Sequence, residues 1–226
     1  MTAPATPAKP VVAVFDFDGT ITWADSFIPF LREACGFGKF WSGVVVLSPV
    51  TVAHLLGLVS NSRAKEVFIR FFLGGWTHEQ LEAVAAKFAT GPRLANMVNP
   101  LAMDRLAWHL REGHRVVLLS ASPEFYLRHW AAGQGIATTL GTRLEFAAGQ
   151  ATGRMSGLNC HGREKVSRLE AELGPLDRFE IHAYGDSRAD LHLLGKIQHP
   201  HFRSFESAAK GSCKLRAMVK FLCALS

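Results

Sequence analysis

A chain of 226 residues is long enough for one sizeable core with an insert, and it needs neither disulfides nor a metal to fold. With 48% hydrophobic and 19% charged residues it is not a disordered chain, and a formal net charge of +6 favours anionic partners. Basic residues such as Arg63, Lys65, Arg70, Arg163, Lys165, Arg168 and Lys214 are scattered, which argues against the clustered footprint of a nucleic-acid-binding protein.

The opening MTAPATPAKP has no apolar segment behind a basic one and reads as a disordered tail over residues 1–9, not as a signal peptide. Cys35, Cys160, Cys213 and Cys223 form no CxxC pair, so neither a zinc knuckle nor a redox motif is indicated. The expectation is a cytoplasmic protein with reduced thiols.

Val11 to Phe15 is an unbroken apolar run ending in Asp16, the pattern of a parallel strand buried on both faces. About a hundred residues separate it from the next such run, so they must hold a small domain of their own. Helical patterns occur there at Ser26 to Ala34, Ala64 to Phe72 and His78 to Ala89, the last with Thr77 as N-cap. The apolar stretch Val44 to Val59 falls short of a membrane span of about 20 residues. It reads as a buried cap helix, with a segment lying on a membrane surface as the alternative.

The second strand is Arg115 to Leu119, followed by Ser120-Ala-Ser and by a helical pattern over Pro123 to Ala132. Thr138 to Gly157 reads as a β-hairpin turning at Ala147-Ala-Gly-Gln. Ile181 to Gly185 is a further strand, and Asp186-Ser-Arg-Ala-Asp190 leads into helix over Ala189 to Gly195. His192, His199 and His201 lack further ligands at zinc spacing and are assigned no role.

Alternating strands and helices predict a doubly wound, mostly parallel α/β sheet with an inserted α-helical cap. The expected core comprises residues 10–22 and 108–226, and the cap residues 23–107. In such sheets ligands bind beyond the carboxyl ends of the strands, where the polar strand endings converge. Residues i and i+2 leave a strand on the same side, so Asp16 and Asp18 of DFDGT both face that crevice while Phe17 points into the core. Paired carboxylates need a cation or a shared proton, which suits Asp16 as ligand and nucleophile and Asp18 as proton carrier.

With its DFDGT, Ser120, Lys165 and Gly185-Asp186-Ser-Arg-Ala-Asp190 in this order, the sequence resembles the haloacid dehalogenase-like superfamily. The resemblance implies a Rossmann-like core and a phosphatase that forms an aspartyl phosphate on Asp16, with Asp18 as acid and base. It also implies Mg²⁺ held by Asp16, the Asp18 carbonyl, Asp186 and Asp190, and a phosphoryl group bound by Ser120, the backbone near Ala121, and Lys165. The presence of Asp18 argues against carbon–halogen chemistry.

A helical cap between the first two motifs is similar to that of the branch containing phosphoserine phosphatase, which implies substrate recognition by Asp25 and Arg70. The Val44 to Val59 stretch and Cys160-His-Gly-Arg-Glu-Lys-Val are similar to phosphatidylglycerophosphatases of the C type, which implies a lipid head group and contact with the inner membrane face. The expected substrate is therefore a phosphorylated small molecule or a lipid phosphate. A phosphotransferase would use the same site.

Overall fold

The computed structural model describes residues 9–205. Most of the expected N-terminal tail, Cys213, Lys214, Cys223 and the end of the expected core fall outside them. The strands are β1 (Val11–Phe15), β2 (Arg115–Pro123), β3 (Thr138–Thr142), β4 (Leu144–Ala147), β5 (Gln150–Met155), β6 (Glu180–Gly185) and β7 (His199–Phe202). The helices are α1 (Phe27–Val46), α2 (Ser48–Leu55), α3 (Asn61–Leu73), α4 (His78–Thr90), α5 (Pro92–Ala95), α6 (Pro100–Arg111), α7 (Glu124–Gly133), α8 (Arg163–Leu173) and α9 (Leu191–Leu194).

Five strands form one sheet in the order β3-β2-β1-β6-β7, and every pairing is parallel. Strand β1 lies at its centre, and its alternate side chains enter two different cores. Ala13 and Phe15 join a cluster with α6, α7 and the cap helices, whereas Val12 and Val14 join one with α8 and α9. Each fully buried side chain of this size contributes roughly 1.5–3 kcal/mol, which explains why the run is apolar without interruption.

Two strands depart from the sequence reading. Thr138 to Thr142 is not the first arm of the hairpin but an edge strand of the main sheet, paired with β2. The hairpin is β4 and β5 alone, and it turns at Ala148 and Gly149, both at positive φ, as a two-residue turn requires. Strand β7 was not anticipated, because its four residues include Pro200 and two histidines. An edge strand tolerates the proline.

The insert between β1 and β2 is helical. Thr77 caps α4 through a reciprocal pair with Gln80. The expected cap boundary at residues 107 and 108 falls inside α6, which packs on β2. Hairpin β4–β5 is bound to the insert: Gly75 N–H donates to the Ala151 carbonyl at 2.8 Å and Ala151 N–H to the Trp76 carbonyl at 2.8 Å.

Val44 to Val59 is not a buried cap helix. Helix α1 ends at Val46, and α2 has no buried residue. Val45, Val46, Leu55, Leu56 and Leu58 are exposed, the last to 77%. Within the stretch only Leu47 is buried, continuing the inward side of α1 at Phe40 and Gly43. Among the described residues no single helix is long and apolar enough to cross a membrane, although α1 and α2, bent by 55°, pass that test together.

Candidate active site

The carboxyl ends of β1, β2 and β6 place the polar residues at one mouth. Strand β1 ends at Phe15, and Asp16 follows, its N–H still bonded to the Tyr184 carbonyl of β6 at 2.9 Å. Between Leu119 and Pro123 the β2–β3 pairing slips. There Ser120, Ala121 and Ser122 leave the regular ladder.

Lys165 comes from the first turn of α8 and is 2% exposed. Its ammonium lies 2.9 Å from Asp16 Oδ1 and 2.5 Å from Asp190 Oδ1. Burial alone would lower the pKa of this lysine, but the two carboxylates outweigh it and hold the ammonium firmly protonated. Burial pushes Asp16 up to about 7, against the attraction of Lys165. Asp190 is also penalised by burial, yet Lys165 and the Ser187 hydrogen bonds bring it below the usual carboxylate range.

One oxygen each from Asp16, Asp186 and Asp190 lies within 4.8 Å of the others. Three hard oxygen donors facing a single ammonium leave excess negative charge, the condition that suits Mg²⁺. Gly19 makes room for this cluster. Its φ is +83°, and an added Cβ would sit 2.3 Å from Asp186 Oδ2. Gly185 does the same for Asp190, where an added Cβ would meet the Asp190 Cβ at 2.6 Å.

Asp18 does not join the three carboxylates. Its Oδ1 accepts the Ser26 N–H at 2.8 Å and its Oδ2 accepts the Ser122 hydroxyl. The side chain therefore stands where core and insert meet. Burial, then the charge of Asp25, raises its pKa to about 6.

Ser120 is buried, and its Oγ accepts the Ser122 N–H at 3.2 Å. Its hydroxyl proton remains available for a ligand. The Ala121 carbonyl accepts from Thr142 Oγ1 at 2.6 Å and from Lys65 Nζ at 2.7 Å, which fixes the turn carrying its backbone.

Of the two expected specificity residues, Asp25 is exposed and its Oδ1 accepts the N–H groups of Phe27 and Ile28 at 3.0 and 3.2 Å. It caps α1 and also bears electrostatically on Asp18 and Lys65. Arg70 is exposed, and its backbone and stem lie against Gly153 of β5. The basic side chain that α3 presents to the site is Lys65, five residues earlier and about 140° away around the helix. Ser122 was also missed, although it repeats at Ser120-Ala-Ser122 the same i, i+2 spacing that marked Asp16 and Asp18.

Comparison with known proteins identifies the family. The sequence pattern of the haloacid dehalogenase-like hydrolases matches residues 13–195. The chain belongs to that family. It is 34% identical over 199 residues to protein CicA of Caulobacter vibrioides, covering 87% of each chain. It is 26% identical over 205 residues to a probable phosphatase of Mycobacterium tuberculosis, covering 85% of this chain and 68% of that one. A probable phosphoserine phosphatase from Vibrio cholerae has the same fold, with a TM-score of 0.62 and 17% identity over 96% of this chain and 65% of that one.

Proposed function

We propose that the protein is a Mg²⁺-dependent phosphomonoester hydrolase that passes the phosphoryl group through Asp16. The observation that carries this reading is the Lys165 ammonium held between Asp16 and Asp190, beside the three-oxygen cluster. An Asp16 oxygen attacks phosphorus as the bond to the leaving alcohol breaks, and Asp18 gives the departing alcohol oxygen its proton. Water then attacks the phosphorus and yields a proton to Asp18, and the bond to Asp16 breaks. Lys165 offsets charge on Asp16 and the phosphoryl oxygens, and the Ser120 hydroxyl donates to one of those oxygens.

Asp16, Asp186 and Asp190 would hold the cation, with the Asp18 carbonyl completing the protein ligands. Bound Mg²⁺ would supply charge neutralisation and alignment of the phosphoryl group.

Two results test this reading. Activity should need Mg²⁺ and vanish with chelator, and Asp18→Asn should slow turnover on the order of 10²–10⁴-fold because both proton transfers lose their carrier. Full activity in excess chelator, or unchanged Asp18→Asn kinetics, contradicts it. Gly19→Ala tests the cradle around Asp186. A non-glycine residue at positive φ costs about 1–2 kcal/mol, which a folded chain survives, while the new Cβ displaces the Asp186 carboxylate. The Mg²⁺ concentration for half-maximal rate should rise about tenfold or more, a factor equivalent to about 1.4 kcal/mol of binding. An unchanged titration would remove Asp186 from the cation site.

The exposed apolar face favours a lipid phosphomonoester, hydrolysed at a membrane surface, over a soluble phosphate. More than half of the exposed large apolar side chains among the described residues fall between Phe37 and Leu58, and no Asp, Glu, Lys or Arg occurs from residue 40 to 62. Lys39 and Arg63 flank the stretch, and each basic residue near an anionic surface adds about 1 kcal/mol of attraction. The protein should bind phosphatidylglycerol vesicles and lose that binding in Val45→Asp and Leu56→Asp. Both positions are exposed, so turnover of a small soluble ester should persist. Absence of vesicle binding, or dimerisation through this face, defeats the lipid reading and leaves a small phosphorylated metabolite as substrate.

A further inference from the structure

At the sheet edge formed by β6 and β7 lies a group of imidazoles that phosphoryl transfer does not use. The two strands run parallel with His182 beside His199 and Tyr184 beside His201. Alternation therefore brings Glu180, His182, His199 and His201 to one face. The His182 ring stacks on His199 at 4.3 Å and on His201 at 5.6 Å between centroids. Glu180 Oε1 is 3.0 Å from His199 Nε2, and His182 Nδ1 is 3.3 Å from His201 Nε2. One ligand atom from each of Glu180, His182 and His199 lies within 4.8 Å of the others.

We propose that Glu180, His182 and His199 form a site for a transition-metal cation of the zinc class. Two imidazoles and a carboxylate suit Zn²⁺, Co²⁺ or Ni²⁺, whereas Mg²⁺ prefers the all-oxygen cluster at the other end of the strand. Imidazoles stacked this closely disfavour a charge on both rings, and the neutral ring is the metal ligand. Burial and neighbouring imidazoles hold His182 below the ordinary histidine range.

Four residues of extended chain separate His182 from Asp186, about 13 Å, so this cation would not touch the phosphoryl group. Its effect is structural. Strand β7 has four residues and a proline, and a cation bridging it to β6 would clamp a weakly paired edge. Arg203, just beyond β7, donates its N–H to the Gly185 carbonyl at 2.8 Å and its Nε–H to the Asp186 carbonyl at 3.0 Å. The clamp would therefore steady the loop that carries Asp186.

The proposal does not depend on the hydrolytic mechanism, and a binding experiment tests it alone. Tag-free, metal-stripped full chain would be titrated with Zn²⁺ by calorimetry, and with Co²⁺ by visible absorption, in excess Mg²⁺. One equivalent should bind in the low micromolar range or tighter, with Co²⁺ bands of nitrogen coordination. His182→Asn and His199→Asn should each weaken binding about 10–100-fold or more, while matching the wild type, without added Zn²⁺, in circular dichroism and in Mg²⁺-dependent hydrolysis of p-nitrophenyl phosphate. Asp186→Ala should leave Zn²⁺ binding unchanged. Millimolar affinity in the wild type, unchanged affinity in both histidine variants, or loss of binding in Asp186→Ala would overturn the site.

Discussion

Asp16→Asn should reduce turnover by at least about 10³-fold, the scale expected when a covalent nucleophile is removed and only binding and electrostatics remain. The substitution is nearly isosteric, and Lys165 keeps its contact with Asp190 at 2.5 Å, so the fold should survive. The amide oxygen lacks the negative charge needed to attack phosphorus. Steady-state rates with a small phosphate ester, together with circular dichroism, check this. Turnover within tenfold of wild type would contradict the assignment of Asp16.

Lys165→Met should damage both stability and catalysis. The lysine side chain is buried to the same degree as that of Asp190, and removing one partner of a buried pair costs about 3–5 kcal/mol because the other charge is left uncompensated. Here two carboxylates are left. For a chain of this size that corresponds to a fall in melting temperature on the order of 10 °C. The phosphoryl oxygens also lose their neutralising cation, worth about 10²–10³-fold in rate. Added Mg²⁺ should recover part of the lost stability, since it would meet the same excess negative charge. A variant as stable as wild type and indifferent to Mg²⁺ would show that the lysine is not the counter-ion of this cluster.

The central strand and the carboxylate at its end were legible in the sequence because each part is local. An apolar run followed by a carboxylate already states that a buried strand ends at a crevice, and the i, i+2 spacing of Asp16 and Asp18 states that both leave it on one side. The parts that escaped depend on how distant segments dock. Lys65 is one of several scattered basic residues until α3 packs against β5 and α1 and brings its ammonium to the Ala121 carbonyl. Arg70, five residues on, lies on another side of that helix, against Gly153 of β5. The histidines at 182, 199 and 201 lack metal spacing along the sequence, and only the β6–β7 register makes them neighbours. The exposure of α2 was hidden for the opposite reason, since an apolar composition predicts burial unless something outside the chain covers it.

The most direct test is to find where the phosphoryl group rests. Asp18→Asn enzyme, slowed in hydrolysis, would be mixed with a phosphate ester and Mg²⁺, quenched in acid, reduced with borohydride and digested. Mass spectrometry should find homoserine in place of Asp16, the signature of an acyl phosphate at that carboxylate. A phosphoryl group found on Ser120, or no modified Asp16 during active turnover, would contradict the account.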